Sequence, residues 1–86
     1  MNINELIKII NKKLQDQILI ESIKIEDKSF LHKNHSGNQK EKFHIKISLK
    51  SSHLKELGRI ESNKKIYKIL DNEMKLYIHS LQILIH

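Results

Sequence analysis

Six histidines are the side chains in this sequence with the most to offer chemically. Three of them, His32, His35 and His44, fall within the stretch SFLHKNHSGNQKEKFH from Ser29 to His44. Neutral imidazole is the commonest metal ligand among side chains, and it titrates near neutral pH. No cysteine accompanies the histidines, so the chain has no thiolate and cannot hold an iron–sulfur cluster through four cysteines of its own. His32 and His35 are three residues apart in a polar segment, which matches neither a helical H-x-x-x-H pair nor half of a zinc finger. Their spacing alone allows a solvated loop or part of a site completed from elsewhere.

Little else in the chain suggests catalysis. There is no Ser-His-Asp grouping, no glycine-rich phosphate loop and no carboxylate pair placed for acid–base work, so an enzyme is not expected. The net charge is +6, and every basic residue but Arg59 is a lysine. That balance favours acidic partners, nucleic acid included. Arg59, Lys64, Lys65 and Lys68 would form one basic helical surface. Such a run is usually a solvated face, and the functional alternative is a groove for DNA phosphates. A KH-type clamp needs a GXXG loop, whereas Gly37 and Gly58, the two glycines, are far apart. Stacking platforms are scarce, with two Phe and two Tyr.

The elements that must position these groups are legible in the hydrophobic pattern. At 86 residues the chain is expected to form one domain, residues 1–86, with a thin core. Absent cysteine is what a reducing cytoplasm permits. The opening MNINELIKIINKKLQ reads as a helix rather than a signal peptide, and no apolar run is long enough to span a bilayer. A soluble, cytoplasmic protein is expected.

Ile3, Leu6, Ile7, Ile10 and Leu14 form a stripe at helical spacing, and Asn2 with Glu5 fits a capping box. This predicts a first helix from about Ile3 to Gln15. Alternation around Ile23 and Ile25 predicts a strand from about Leu19 to Glu26. Phe43, Ile45, Ile47 and Leu49 alternate with His44, Lys46, Ser48 and Lys50, the clearest half-buried strand in the chain. SSHLKELG predicts a short turn or helix, with Ser51 or Ser52 as its cap. Ile60, Ile66, Tyr67, Leu70, Met74 and Tyr77 fit one helix from Arg59 to Leu76. Finally, Leu81, Ile83 and Ile85 alternate on the same parity as His79, which predicts a partly buried histidine at the inner edge of the last strand. The order is α-β-β-α-α-β, an α+β layer with helices on one face of a three-stranded sheet. His44 should point away from the apolar face, in a structural role or where it could orient a metal ligand.

With these residues the order resembles the BolA family over nearly the whole chain. EDKSFLH looks like the family's acidic-x-Ser-x-x-His run, with Ser29 and His32 in the matching places. FHIKISLKS resembles its second strand, IYKILDNEM the end of its long helix, and IHSLQI its Val-His-Ala-Leu segment, which puts His79 on the family's histidine. The chain differs in having Ser62, Asn63 and Lys64 where members usually carry Arg-His-Arg, and Leu54, Lys55 and Glu56 where Phe-x-Gly is usual.

The resemblance implies a class II KH-like fold with a mixed sheet. It also implies a monothiol glutaredoxin as partner, in a heterodimer that bridges a [2Fe-2S] cluster. The glutaredoxin cysteine and a glutathione thiol would supply sulfur, and this chain would supply His79 and His32, with His35 as the alternative. No cofactor is then expected in the isolated chain, which would be a monomer or weak homodimer. Imidazole replaces thiolate on one iron of Rieske centres, so two nitrogens from one subunit and two sulfurs from elsewhere is sensible chemistry.

Overall fold

A computed structural model of the chain describes residues 1–29 and 42–86. His32 and His35 lie outside the described residues. The elements run α1 (Ile3–Gln17), β1 (Ser22–Asp27), β2 (Phe43–Lys50), α2 (Ser52–Leu57), α3 (Arg59–Ile69), α4 (Asp71–Leu76) and β3 (Ile78–Ile85). The α+β expectation holds, with a three-stranded mixed sheet in the order β1-β2-β3. β1 pairs antiparallel with β2, and β3 pairs parallel with it.

α1 begins as its sequence dictates. Asn2 Oδ1 accepts from the Glu5 backbone N–H at 2.9 Å, while Asn2 Nδ2 donates to Glu5 Oε1 at 2.9 Å. This reciprocal cap satisfies a donor that the first turn would otherwise leave unpaired. Leu6, Ile10 and Leu14 are fully buried. They meet Ile45, Ile47 and Leu49 of β2, Leu54 of α2, Ile66 of α3 and Leu70 at the α3–α4 junction in one core. The strand predicted from Leu19 instead starts at Ser22: Leu19 is 80 % exposed, and among the described residues its one hydrogen bond is from Ser51 Oγ to its carbonyl at 2.8 Å. The same Ser51 hydroxyl accepts from the Leu54 N–H at 3.2 Å, which makes Ser51 the cap of α2.

The long helix predicted from Arg59 to Leu76 divides at Leu70, whose φ −96° and ψ 17° separate α3 from α4. Ile66 and Leu70 are buried as their spacing predicts, but Ile60 is 70 % exposed and Tyr67 is 40 % exposed. α4 carries one buried charge, Glu73, whose Oε2 accepts from Lys13 Nζ of α1 at 2.7 Å. Gly58 ends α2 and begins α3 at φ 86° and ψ 167°, a conformation open to glycine and costly for other residues.

Candidate metal centre

The site is built where β2 and β3 begin. Along β2 the buried residues are Ile45, Ile47 and Leu49, so the pleat sends His44 to the opposite face of the sheet. Beside it the β2–β3 ladder slips. Phe43 pairs with Ile78, but His44 pairs with Ser80, leaving His79 as an extra residue in β3. Such bulges are uncommon in parallel pairs, and they re-aim side chains.

The consequence can be read from burial. Ile78 is buried on the core side and Leu81 packs against the core, while His79 and Ser80 between them are both exposed. The expectation that His79 sits at the inner edge with Leu81 and Ile83 is therefore corrected. Simple alternation would have kept it there, and the bulge turns it out onto His44.

The two imidazoles meet edge to face, with ring centroids 4.8 Å apart and planes at 89°. His79 Nδ1 lies 3.4 Å from His44 Nε2. The other nitrogen of His44, Nδ1, lies 2.6 Å from Ser80 Oγ. At that distance either ring nitrogen can donate to the other, the tautomers setting which. Nitrogens each about 2.0–2.1 Å from one tetrahedral ion are about 3.3–3.4 Å apart, which is the spacing of this pair. When His44 Nδ1–H donates to Ser80 Oγ, the tautomer is fixed and Nε2 carries the lone pair, as an outer partner does at metal-bound histidines.

The backbone of His44 is pinned as firmly as its ring. Its N–H donates to Ser29 Oγ at 3.1 Å, and its carbonyl accepts from the Lys28 N–H at 2.7 Å. The Ser29 N–H in turn donates to Asp27 Oδ1 at 2.9 Å. The acidic-x-Ser pair at the end of β1, Asp27 and Ser29, thus anchors the chain against His44. Next to it, Lys28 Nζ lies 3.1 Å from Glu26 Oε2, and the hydrogen bond from Lys28 holds the Glu26 carboxyl below its ordinary pKa.

Among the described residues no three His, Cys, Asp or Glu side chains gather into a complete metal site. His44 and His79 bring two ring nitrogens together on an accessible face. His53 and His86 are exposed and outside this pair. Sequence reasoning did not single out Ser80 or the bulge. The bulge after Ile78 puts two polar residues, His79 and Ser80, side by side on the outer face.

The basic residues are arranged less favourably for one phosphate groove. Arg59, Lys64 and Lys68 are exposed and Lys65 is half-buried, while Lys64 Nζ leans toward Glu61 at 3.9 Å. Ser62 is fully buried, its hydroxyl donating to the Leu54 carbonyl at 2.6 Å. The position where the resemblance has its first helix arginine therefore ties α3 to α2 and does not face solvent.

Comparison with known proteins agrees with this architecture. The family model described as BolA-like protein matches residues 14–86. A Haemophilus influenzae protein named DNA-binding transcriptional regulator BolA is 28 % identical over 75 residues, covering 87 % of this chain and 70 % of that protein. The BolA domain of SufE1 from Arabidopsis thaliana superposes with a TM-score of 0.77 at 24 % identity, covering 99 % of this chain and 92 % of that one. BolA1 from Arabidopsis thaliana gives a TM-score of 0.75 at 20 % identity, covering 91 % and 86 %.

Proposed function

Because this chain belongs to the BolA-like family, whose model spans residues 14–86, we propose that it is a binding partner in iron–sulfur handling. It pairs with a monothiol glutaredoxin and shares a [2Fe-2S] cluster, whose other ligands are the glutaredoxin cysteine and a glutathione thiol. The observation that supports this reading is the 3.4 Å approach of His79 Nδ1 to His44 Nε2 on an accessible face. His79 is the first nitrogen ligand. The geometry favours His44 as the second, held in the ligand tautomer by Ser80, with His32 and His35 as the alternatives.

The chain's own contribution is to place two imidazoles side by side before the partner arrives, the remaining ligands coming from elsewhere. Imidazole in place of thiolate raises the reduction potential of such a cluster. The test is to combine the chain with glutathione, iron, sulfide and a monothiol glutaredoxin, then record visible absorption and circular dichroism. His79→Ala is expected to change the heterodimer's cluster spectrum. His44→Ala and His32→Ala, compared side by side, identify the second ligand by which one reproduces the His79→Ala change. An unchanged His79→Ala spectrum refutes the assignment.

A second reading is favoured by the Haemophilus influenzae relative, whose name describes a DNA-binding regulator. In that reading Arg59, Lys64, Lys65 and Lys68 contact duplex phosphates. It predicts affinity that falls steeply with salt, survives loss of His44 and His79, and collapses when Arg59, Lys64 and Lys65 are neutralised together.

A further inference from the structure

The end of β3 away from His79 has a feature that the metal centre does not use. β3 is an edge strand, so one row of its backbone groups faces away from β2. The His86 N–H donates to the Leu49 carbonyl at 2.8 Å. Since bonded residues alternate along a ladder, Ser80, Gln82 and Leu84 also face β2. Leu81, Ile83 and Ile85 direct their N–H and C=O groups to the open side. Tyr67 confirms this direction, because its hydroxyl donates to the Leu81 carbonyl at 3.1 Å from outside the sheet. Tyr67 covers the edge at Leu81, and among the described residues no strand covers it at Ile83 and Ile85.

Beside this uncovered stretch lies a cleft of about 440 Å³, with the α2–α3 turn as its far wall. Its lining includes Lys55 and Arg59 and no acidic residue. Both cations are exposed, and neither side chain is in an ion pair or side-chain hydrogen bond with a described residue.

We infer that the open edge of β3 at Ile83–Ile85 takes an extended acidic peptide as a fourth strand, with its carboxylates received by Lys55 and Arg59. Main-chain hydrogen bonds to the edge supply the affinity in this kind of recognition, and flanking charges set the direction and choice of peptide. A second copy of the chain fits poorly, because it would bring two chains of net charge +6 edge to edge. Nucleic acid fits poorly as well. The turn reads Gly58-Arg59-Ile60-Glu61, with one glycine and an acid in place of a two-glycine clamp, and the cleft lining has no Phe, Tyr or Trp, His86 being its single ring. This surface is independent of the histidine pair.

The experiment uses the metal-free chain, labelled with nitrogen-15, and a blocked nonapeptide of alternating valine and glutamate. Addition of the peptide is expected to shift the Ile83 and Ile85 amides and slow their hydrogen exchange. Lys55→Glu combined with Arg59→Glu is expected to weaken binding about tenfold or more while leaving the other amide positions in place. The matching valine–lysine peptide is expected not to bind. The inference is overturned if Ile83 and Ile85 do not respond, or if the lysine peptide binds as well. It is also overturned if only an oligothymidylate protects these amides, or if they become protected with protein concentration alone, as a second copy would cause.

Discussion

His44 and His79 stand 3.4 Å apart, nitrogen to nitrogen, because the β2–β3 ladder gains one residue between Ile78 and Ser80. An unbroken parallel register would put His79 on the same face as Leu81 and Ile83. One extra residue moves it to the other face, where His44 already points. The candidate centre thus depends on a backbone irregularity more than on any feature of the histidines themselves.

Ser80 belongs to the same device. Its hydroxyl lies 2.6 Å from His44 Nδ1, and such outer partners are worth about 10–100-fold in metal affinity. Ser80→Ala is expected to weaken retention of the shared cluster by that factor, measured by chelator competition on the reconstituted heterodimer. Ser80→Thr should keep most of it. Equal retention in Ser80→Ala and the parent chain would remove Ser80 from the account.

The buried ion pair between α1 and α4 makes a separate prediction about stability. Glu73 is 3 % exposed and its Oε1 has no hydrogen-bond partner among the described residues, so Lys13 is its main compensation. Removing one member of a buried pair strands the other charge, which costs about 3–5 kcal/mol when both are buried. Lys13 is partly solvated, so Lys13→Met is expected to cost about 2–3 kcal/mol in urea unfolding. Replacing Glu73 by Gln in the same chain should recover part of the loss. A Lys13→Met chain as stable as the parent would show that solvent screens the pair.

Gly58 gives a test free of side-chain contacts. A Cβ at this position would meet nothing within 4 Å, so only the backbone conformation at φ 86° resists substitution. Gly58→Ala is expected to destabilise the fold by about 1–3 kcal/mol. A change of a few tenths would mean that the α2–α3 turn relaxes to another conformation.

Glu26 supplies the pH dependence. The hydrogen bond from Lys28 holds its folded-state pKa below the ordinary glutamate value. A depressed carboxyl contributes stability above its unfolded pKa, and that contribution is lost as pH falls through the folded one. Carboxyl NMR titration is expected to place Glu26 at the acidic side of the glutamates, and Lys28→Met should move it upward. No movement in Lys28→Met would assign the depression to the weaker influence of Lys24 and Lys46.

Much of this architecture was legible in the residue pattern. The α1 stripe, the Asn2–Glu5 cap and the alternation of β2 all act locally, so the chain announces them without its tertiary context. The break at Leu70 was hidden because backbone hydrogen bonds continue through it, from the Leu70 N–H to Ile66 and from the Met74 N–H to Leu70. Ile60 fits the apolar spacing of the helix, yet at the start of α3 it stands in solvent. The position of His79 was hidden for a sharper reason. Strand alternation fixes which face a side chain takes only while the register is unbroken, and no residue in IHSLQI signals a bulge in the way a glycine would. His44 points away from the core, as the alternation of β2 predicts. What the pattern could not supply was that His79 would join it there.

The most direct test of the central claim is pulsed electron paramagnetic resonance on the reduced, reconstituted heterodimer, with nitrogen-15 histidine only in this chain. The account predicts strong couplings from two histidine nitrogens. One is lost in His44→Ala, one is lost in His79→Ala, and both persist in His32→Ala and His35→Ala. Two unchanged couplings in His44→Ala, or none from this chain at all, would contradict it.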